Sequence, residues 1–557
     1  MMLQLTILVL LGLAQCSKVS DPVACSRLGK YRGSILKNSY DEPIFAFRGI
    51  RYAEPPIGEL RFQPPVPINK HEEVHDASKD PPACPQPRIG DEPISEDCLF
   101  VNVYTTKLPS DNENPKRPVL VIIHSSDFAR LSSRSNIVGP DYLMNHEIVL
   151  VTFNYRIGAL GFLSTGDKEA PGNLGLKDQV AALKWVKENI EAFGGDPDSV
   201  TIHGNGSGGS CVNLHLVSPL SKGLFHRAVM ASGSVSGAYA FGRSLLKLSK
   251  KQAKIVGCPT EPSTALVECL KTISAEKLGE SLLKLNPGPN GNVIWKPVIE
   301  RDFGQEIFLP DHPVKLVLQG KFQKVPMEIG YMSDEFSDRA IKLVQDKEKL
   351  QKLNDNWNKE ATKLFLCDHN KTRSHAISKD LRSFYFGDSN IDNSTLGPLI
   401  EIFNDGLVGY EINRAAKLIS EKSEEPVFYY YYSYKGKYSF FNPKEGPSPK
   451  GPVLYDDLIY LTPITTLFPK IDKDDPEFDT MEKATKSLVH FAKTGVPARA
   501  LKDTKTKWEP YNSRSQKYLV INAESELKEK LHSKRFAEWE KHFPLNKFHI
   551  VQDYSSC

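Results

Sequence analysis

No other stretch of this chain limits its topology as tightly as Val200-Thr201-Ile202-His203-Gly204-Asn205-Gly206-Ser207-Gly208-Gly209. A β-branched run enters a turn crowded with glycine, and an apolar run follows through Leu216. That order reads as a buried strand, a sharp turn and a helix, with glycine supplying backbone angles that side chains resist. The same alternation recurs nearby. Val119-Leu120-Val121-Ile122-Ile123, Ile148-Val149-Leu150-Val151-Thr152-Phe153 and Ser199-Val200-Thr201-Ile202 read as buried strands. Across 176–193, Leu176, Val180, Leu183 and Ile190 recur at helical spacing, and Gly194-Gly195 supplies the stop. Further strands are expected at Arg227-Ala228-Val229-Met230, Val325-Pro326-Met327-Glu328-Ile329 and Val427-Phe428-Tyr429-Tyr430-Tyr431. Strands alternating with helices predict an α/β fold, a mostly parallel central sheet covered by helices on both faces. The tyrosine run reads as the two faces of a buried strand instead of a stacking platform for a ligand. Residues 347–366 are charged with apolar positions at helical spacing, which predicts a surface helix.

Composition narrows the function classes. The 557 residues are 40% hydrophobic, enough for a large core. Lys and Arg total 71 against 68 Asp and Glu, so neither nucleic acid nor an anionic membrane is an expected partner. The basic stretch 247–254 reads as a solvated helix face. Residues 1–16 read as a signal peptide: Leu5 to Leu13 is apolar, too short to span a bilayer, and small residues follow. No later apolar run reaches spanning length, and the polar C-terminus carries no lipid-anchor signal. The mature protein, 17–557, is therefore expected to be secreted, as one domain without a membrane anchor. Nine cysteines suit an oxidising compartment. Cys84 with Cys98, and Cys258 with Cys269, could each close a small ring. Cys25, Cys211, Cys367 and Cys557 remain if Cys16 leaves with the signal peptide. Cys211 reads as an inert core thiol. Cys557, the last residue, could link two copies, and an unpaired or capped thiol is the alternative. Sequons stand at Asn205, Asn370 and Asn393. The last two suit a glycoprotein surface, whereas Asn205 lies inside the tight turn, where a glycan is not expected. No His/Cys/Asp cluster has metal-ligand spacing, so neither metal nor cofactor is expected.

Several longer stretches carry a resemblance. Phe45-Ala46-Phe47-Arg48-Gly49-Ile50-Arg51-Tyr52-Ala53-Glu54-Pro55-Pro56, Ser95-Glu96-Asp97-Cys98-Leu99-Phe100-Val101-Asn102-Val103-Tyr104, Asn154-Tyr155-Arg156-Ile157-Gly158-Ala159-Leu160-Gly161-Phe162 and Gly172-Asn173-Leu174-Gly175-Leu176-Lys177-Asp178-Gln179 together resemble the type-B carboxylesterase and cholinesterase family. The resemblance runs from about Cys25 to about Phe543. It implies an α/β-hydrolase fold and places disulfides at Cys84–Cys98 and Cys258–Cys269.

The catalytic positions depart from that family. Its nucleophile lies in a stretch like G-E-S-A-G-G, a strand-to-helix elbow that presents a serine above the sheet. Here Gly204-Asn205-Gly206-Ser207-Gly208-Gly209, without insertion or deletion between Val200 and Pro219, puts Gly206 in the serine's place. Gly330-Tyr331-Met332-Ser333-Asp334-Glu335-Phe336 puts Glu335 at the acid position. In the invertebrate branch the histidine precedes a small residue and D-D-L. The matching stretch is Leu454-Tyr455-Asp456-Asp457-Leu458, so Leu454 stands where the base belongs. The oxyanion loop H-G-G-G-F is His124-Ser125-Ser126-Asp127-Phe128. Ser126, Asp127 and Ser207 then hold the oxyanion-hole positions, and the Asp127 carboxylate would repel the negative charge that an oxyanion hole has to stabilise.

Acyl transfer needs a nucleophile, a base and oxyanion donors, and losing a nucleophile or base can cost about a million-fold in kcat. The resemblance therefore implies a secreted, inactive esterase homologue, like the family's neuroligin-like and neurotactin-like members that act in adhesion or recognition. Its action would be binding of a protein partner or a small apolar ligand. The alternative is a divergent carboxylic ester hydrolase using Ser207, one residue past the usual position. A third reading is a storage glycoprotein. Against the alternative, Ser207 is expected to face the helix start as a cap. His203, the nearest histidine, is expected to be a packed imidazole.

Overall fold

The computed structural model describes residues 21–88, 90–111, 113–125, 127–234, 241–242, 244–285, 295–365, 371–498 and 507–546. The expected signal segment, Ser126, Cys367, Asn370 and Cys557 lie outside the described residues.

The strands in chain order are β1 (Val23–Ser26), β2 (Gly29–Arg32), β3 (Ser34–Lys37), β4 (Pro43–Arg51), β5 (Val74–Asp76), β6 (Phe100–Thr105), β7 (Arg117–Ile123), β8 (Val149–Phe153), β9 (Gly195–Asn205), β10 (Arg227–Ala231), β11 (Met327–Met332), β12 (Val427–Tyr432), β13 (Lys517–Ile521) and β14 (Glu526–Glu529). β1, β2 and β5 form a small sheet. The others form one sheet in the order β14-β13-β12-β11-β10-β9-β7-β8-β6-β4-β3. From β8 through β13 every pairing is parallel. The antiparallel pairings lie toward the two margins. The buried β-branched runs fill the parallel centre, where both faces are covered.

Strand alternation sorts side chains onto two cores. One face carries Val200, Ile202, Ala228, Met230, Ile329 and Tyr429, under helices Leu174–Asn189, Ser207–Val217 and Tyr410–Lys422. The other carries Val229, Phe428, Tyr430, Tyr432 and Leu519, under helix Phe478–Thr494. The tyrosines of β12 thus divide between the faces, as the sequence predicts. The helix expected over 176–193 is present as Leu174–Asn189 with a 3-10 turn, Ile190–Phe193, and Gly194 ends it at φ 81°.

The region 347–366 departs from expectation. It forms two helices, Lys347–Asp355 and Trp357–Phe365, with the break at Asn356. Leu353, Trp357 and Ala361 are buried, and the Trp357 indole N–H donates to the Ser378 carbonyl at 2.6 Å. The inner side of this charged segment belongs to the core.

Ion pairs explain why the long matched stretches belong together. Arg156 donates from Nε and Nη2 to the Asp178 carboxylate, at 2.8 and 2.7 Å, where both side chains are almost fully buried. Arg51 pairs with Asp97, and Arg61 grips Glu96 with two bonds of 2.5 Å. Disulfides join Cys84 to Cys98 and Cys258 to Cys269. Cys211 is buried and its thiol is pushed up to about 12 by desolvation, while Cys25 is exposed. Among the described residues no helix is long and apolar enough to cross a membrane.

Candidate functional site

β9 delivers the chain to Gly206 at the C-terminal edge of the sheet, and helix Ser207–Val217 begins at the next residue. Gly206 has φ 53° and ψ −119°, a conformation that favours glycine. Close approach fixes its neighbours as well. A β-carbon on Gly204 would lie 2.3 Å from the backbone of Gly208, and one on Gly208 would lie 2.4 Å from the Ile123 carbonyl. The elbow is intact in backbone and lacks the reactive side chain.

The space above Gly206 is filled. A β-carbon there would meet the Tyr455 phenol oxygen at 2.7 Å, its ring at 2.9 Å and Ser125 Oγ at 3.2 Å. The Tyr455 and Ser125 hydroxyls are hydrogen-bonded at 2.7 Å. Tyr455 is held there locally. Its backbone is left-handed, φ 75°, and the next residue, Asp456, accepts from the backbone N–H of Val453 and Phe440. The ring also meets Phe440 edge-on at 5.9 Å. Sequence reasoning passed over Tyr455. The available signal was its size, since a small residue is the family's pattern at that place.

Ser207 does not cap its helix, contrary to expectation. Its hydroxyl, fully buried, accepts the backbone N–H of Asp127 at 2.9 Å and lies 3.3 Å from Ser125 Oγ. An N–H at one of the expected oxyanion positions is therefore engaged by a side chain. Asp127 and Phe128 both have positive φ, 46° and 58°, in the loop where the family has glycines. Desolvation raises the Asp127 carboxyl, against the opposing pull of Arg339, Arg130 and a hydrogen bond to Tyr455. His124, the first residue of that loop, is buried and stacks on Tyr155 at 4.6 Å.

Glu335 and Leu454 are adjacent, with the Leu454 N–H donating to the Glu335 carbonyl at 3.1 Å. No imidazole stands between them. Glu335 Oε2 accepts from the Met332 N–H at 2.7 Å, and burial raises the carboxyl to about 8, against the pull of that bond and of Ser232. At neutral pH it is an uncharged acid. Leu454 packs into the apolar core near Phe336.

His203 is buried, as expected, and lies on the face of the sheet under helix Phe478–Thr494, away from Ser207. Asn205 is buried and donates to Asp457 Oδ2 at 2.7 Å, which leaves no room for a glycan. Asn393 is exposed in a 3-10 turn. Among the described residues no group of three His, Cys, Asp or Glu could hold a metal ion.

A family model described as "Carboxylesterase family" matches residues 20–539. Esterase FE4 of Myzus persicae is 36% identical over 500 residues, covering 86% of each chain. Juvenile hormone esterase of Tribolium castaneum is 35% identical over 484 residues, covering 82% of this chain and 81% of that protein. Neuroligin-2 of Mus musculus is 30% identical over 599 residues, covering 95% of this chain and 68% of that protein. Among solved structures, juvenile hormone esterase from Manduca sexta, with OTFP covalently attached, superposes with a TM-score of 0.81 at 25% identity, covering 94% of this chain and 100% of that one. With the sheet order, the elbow and the paired signature stretches all in place, the chain belongs to the carboxylesterase family and has its α/β-hydrolase fold.

Proposed function

We propose that this protein is a secreted, catalytically inactive carboxylesterase homologue, in which residues 17–557 act as one domain that binds a protein partner or an apolar ligand. The observation that carries this reading is the Tyr455 phenol standing where the side chain of a nucleophile at Gly206 would project. A reacting carbonyl would need that volume, a hydroxyl within it and a base beside it. Gly206 has no hydroxyl, Leu454 has no proton acceptor, and the Tyr455 ring takes up the volume, its own hydroxyl bound to Ser125. The Ser125 and Ser207 hydroxyls turn toward Tyr455, toward each other and toward the Asp127 N–H. These hydroxyls and the Asp127 N–H thus satisfy one another in a single hydrogen-bonded cluster. Two disulfides and an exposed sequon at Asn393 support an extracellular setting.

The alternative, hydrolysis by Ser207, is disfavoured by the burial of its hydroxyl and its engagement with Asp127. The test is incubation of the purified protein with aryl acetates and with a fluorophosphonate probe, beside a Ser207→Ala variant. The expected result is hydrolysis no faster than the variant's and no covalent adduct. An adduct on Ser207 together with turnover abolished by Ser207→Ala would overturn the proposal. Cross-linking and mass spectrometry of material purified from its native fluid separate a protein partner from a small apolar ligand.

A further inference from the structure

Among the polar residues buried in the main sheet, two ionisable ones stand near each other. His203 on β9 and Glu328 on β11 are both paired with Val229 on β10 between them. They therefore flank Val229 on one face, two strand spacings or about 10 Å apart. Here, beside helix Phe478–Thr494, lies a cavity of about 90 Å³ that opens partly to solvent. Its apolar walls include Val229, Leu461, Leu488 and Leu519. Among its polar side chains, beside the hydroxyls of Tyr430, Tyr432, Ser487 and Ser525, are His203, Glu328, Asp457 and Trp508, none of these four more than 9% exposed. Each presents an atom without a hydrogen-bond partner: His203 Nδ1, Glu328 Oε1, Asp457 Oδ1 and Trp508 Nε1.

Buried polar groups are normally paired. Four orphaned atoms around one void mark a place for an occupant with its own polar end. The mix of donors and acceptors, and the apolar walls, set its chemistry. Burial lowers His203 to about 4 and raises Glu328 to about 8, so at neutral pH the imidazole is uncharged and Glu328 is a neutral acid able to donate. The Trp508 N–H donates, and Asp457 Oδ1 accepts. An anionic guest would lose its hydration and find no positive charge among the lining groups, only carboxyls. A void of this size is smaller than one that takes benzene.

We propose that this cavity is a second binding site, for a small uncharged molecule with an apolar body of roughly four carbons and one hydroxyl or amide end. It lies under the opposite face of the sheet from helix Ser207–Val217, so its occupancy is independent of whether the chain hydrolyses esters. Butyramide and sodium butyrate are matched probes, one neutral and one charged. Saturation-transfer NMR on the full-length protein at pH 7 is expected to show saturable butyramide binding, with butyrate at least tenfold weaker. Ala484→Phe, which fills the void from the helix, should weaken butyramide binding at least tenfold. Glu328→Leu, which keeps an apolar wall and removes one polar partner, should weaken it several-fold. Non-saturable signals, equal binding of both probes, or undiminished binding to a folded Ala484→Phe protein would each overturn the proposal. So would a crystal structure from butyramide-soaked crystals with only ordered water in the cavity. Should Ala484→Phe fail to fold, the comparison of the two probes on the unmodified chain still decides it.

Discussion

The Tyr455 phenol oxygen lies 2.7 Å from the point where a β-carbon of Gly206 would be. The two residues are complementary. One has given up its side chain and the other has placed an aromatic ring in the vacated volume. Ser125, at a glycine position of the family loop, supplies the hydroxyl that binds the phenol. Ser207 then ties the Asp127 backbone to the same cluster. The departures from the catalytic pattern form one packed unit.

Gly206→Ser is therefore expected to create a clash as well as backbone strain. The serine β-carbon would have to displace the Tyr455 ring, in a backbone conformation that L residues rarely adopt. Overpacking and strain of this kind each cost about 1–3 kcal/mol. Urea unfolding should show that loss, with no gain of esterase turnover. Adding Tyr455→Gly should recover part of the stability, and a Gly206→Ser protein as stable as the parent would contradict the packing described.

Tyr455→Phe removes the bond to Ser125 Oγ and leaves the ring in place. The expected loss is about 0.5–1.5 kcal/mol, measured by the shift in denaturation midpoint. Tyr455→Ala should cost more, because it also opens a void above Gly206. A phenylalanine variant less stable than the alanine variant would mean that the ring is not seated on Gly206.

Stability should fall as pH rises from 6.5 to 8.5. Burial raises Glu335 and Glu328 to about 8 and Asp457 to about 7. In the unfolded chain such groups ionise near pH 4. Between those limits the folded protein holds protons that the unfolded chain has released, so their contribution is full below pH 4 and is lost as pH passes the folded values. The buried imidazoles of His124 and His203, lowered to about 4, act in the opposite sense only below about pH 6.5. The window above 6.5 thus isolates the carboxyls. Urea midpoints at the two pH values should differ, and Glu335→Gln should flatten the difference. Equal midpoints for the parent protein would show that these carboxyls are ionised when folded.

Arg156→Ala should destabilise strongly, by about 3–5 kcal/mol, because it strands the Asp178 carboxylate where almost no water reaches. Replacing both, Arg156→Met with Asp178→Leu, should cost much less than the single change. Thermal melts of the two variants distinguish a buried pair of this kind from a surface one.

The order of residues was enough to give the parallel sheet, the glycine turn and the identities of the residues at Gly206 and Leu454, on which the proposed inactivity rests. Those follow from local pattern and from side-chain identity: glycine has no nucleophile and leucine no proton acceptor wherever they are placed. The hidden inner face of 347–366 was not legible, because charge on one side of a helix says nothing about the neighbour on the other. Nor was the direction of the Ser207 hydroxyl, the role of Tyr455 or the cavity beside His203. Each depends on residues distant in the chain, Ser125 with Tyr455 at a separation of 330 positions and Asp127 with Ser207 at 80. Which atom fills a vacated space is settled when strands, helix and loops close around it, since a packed interior leaves a side chain only the volume its neighbours have not taken.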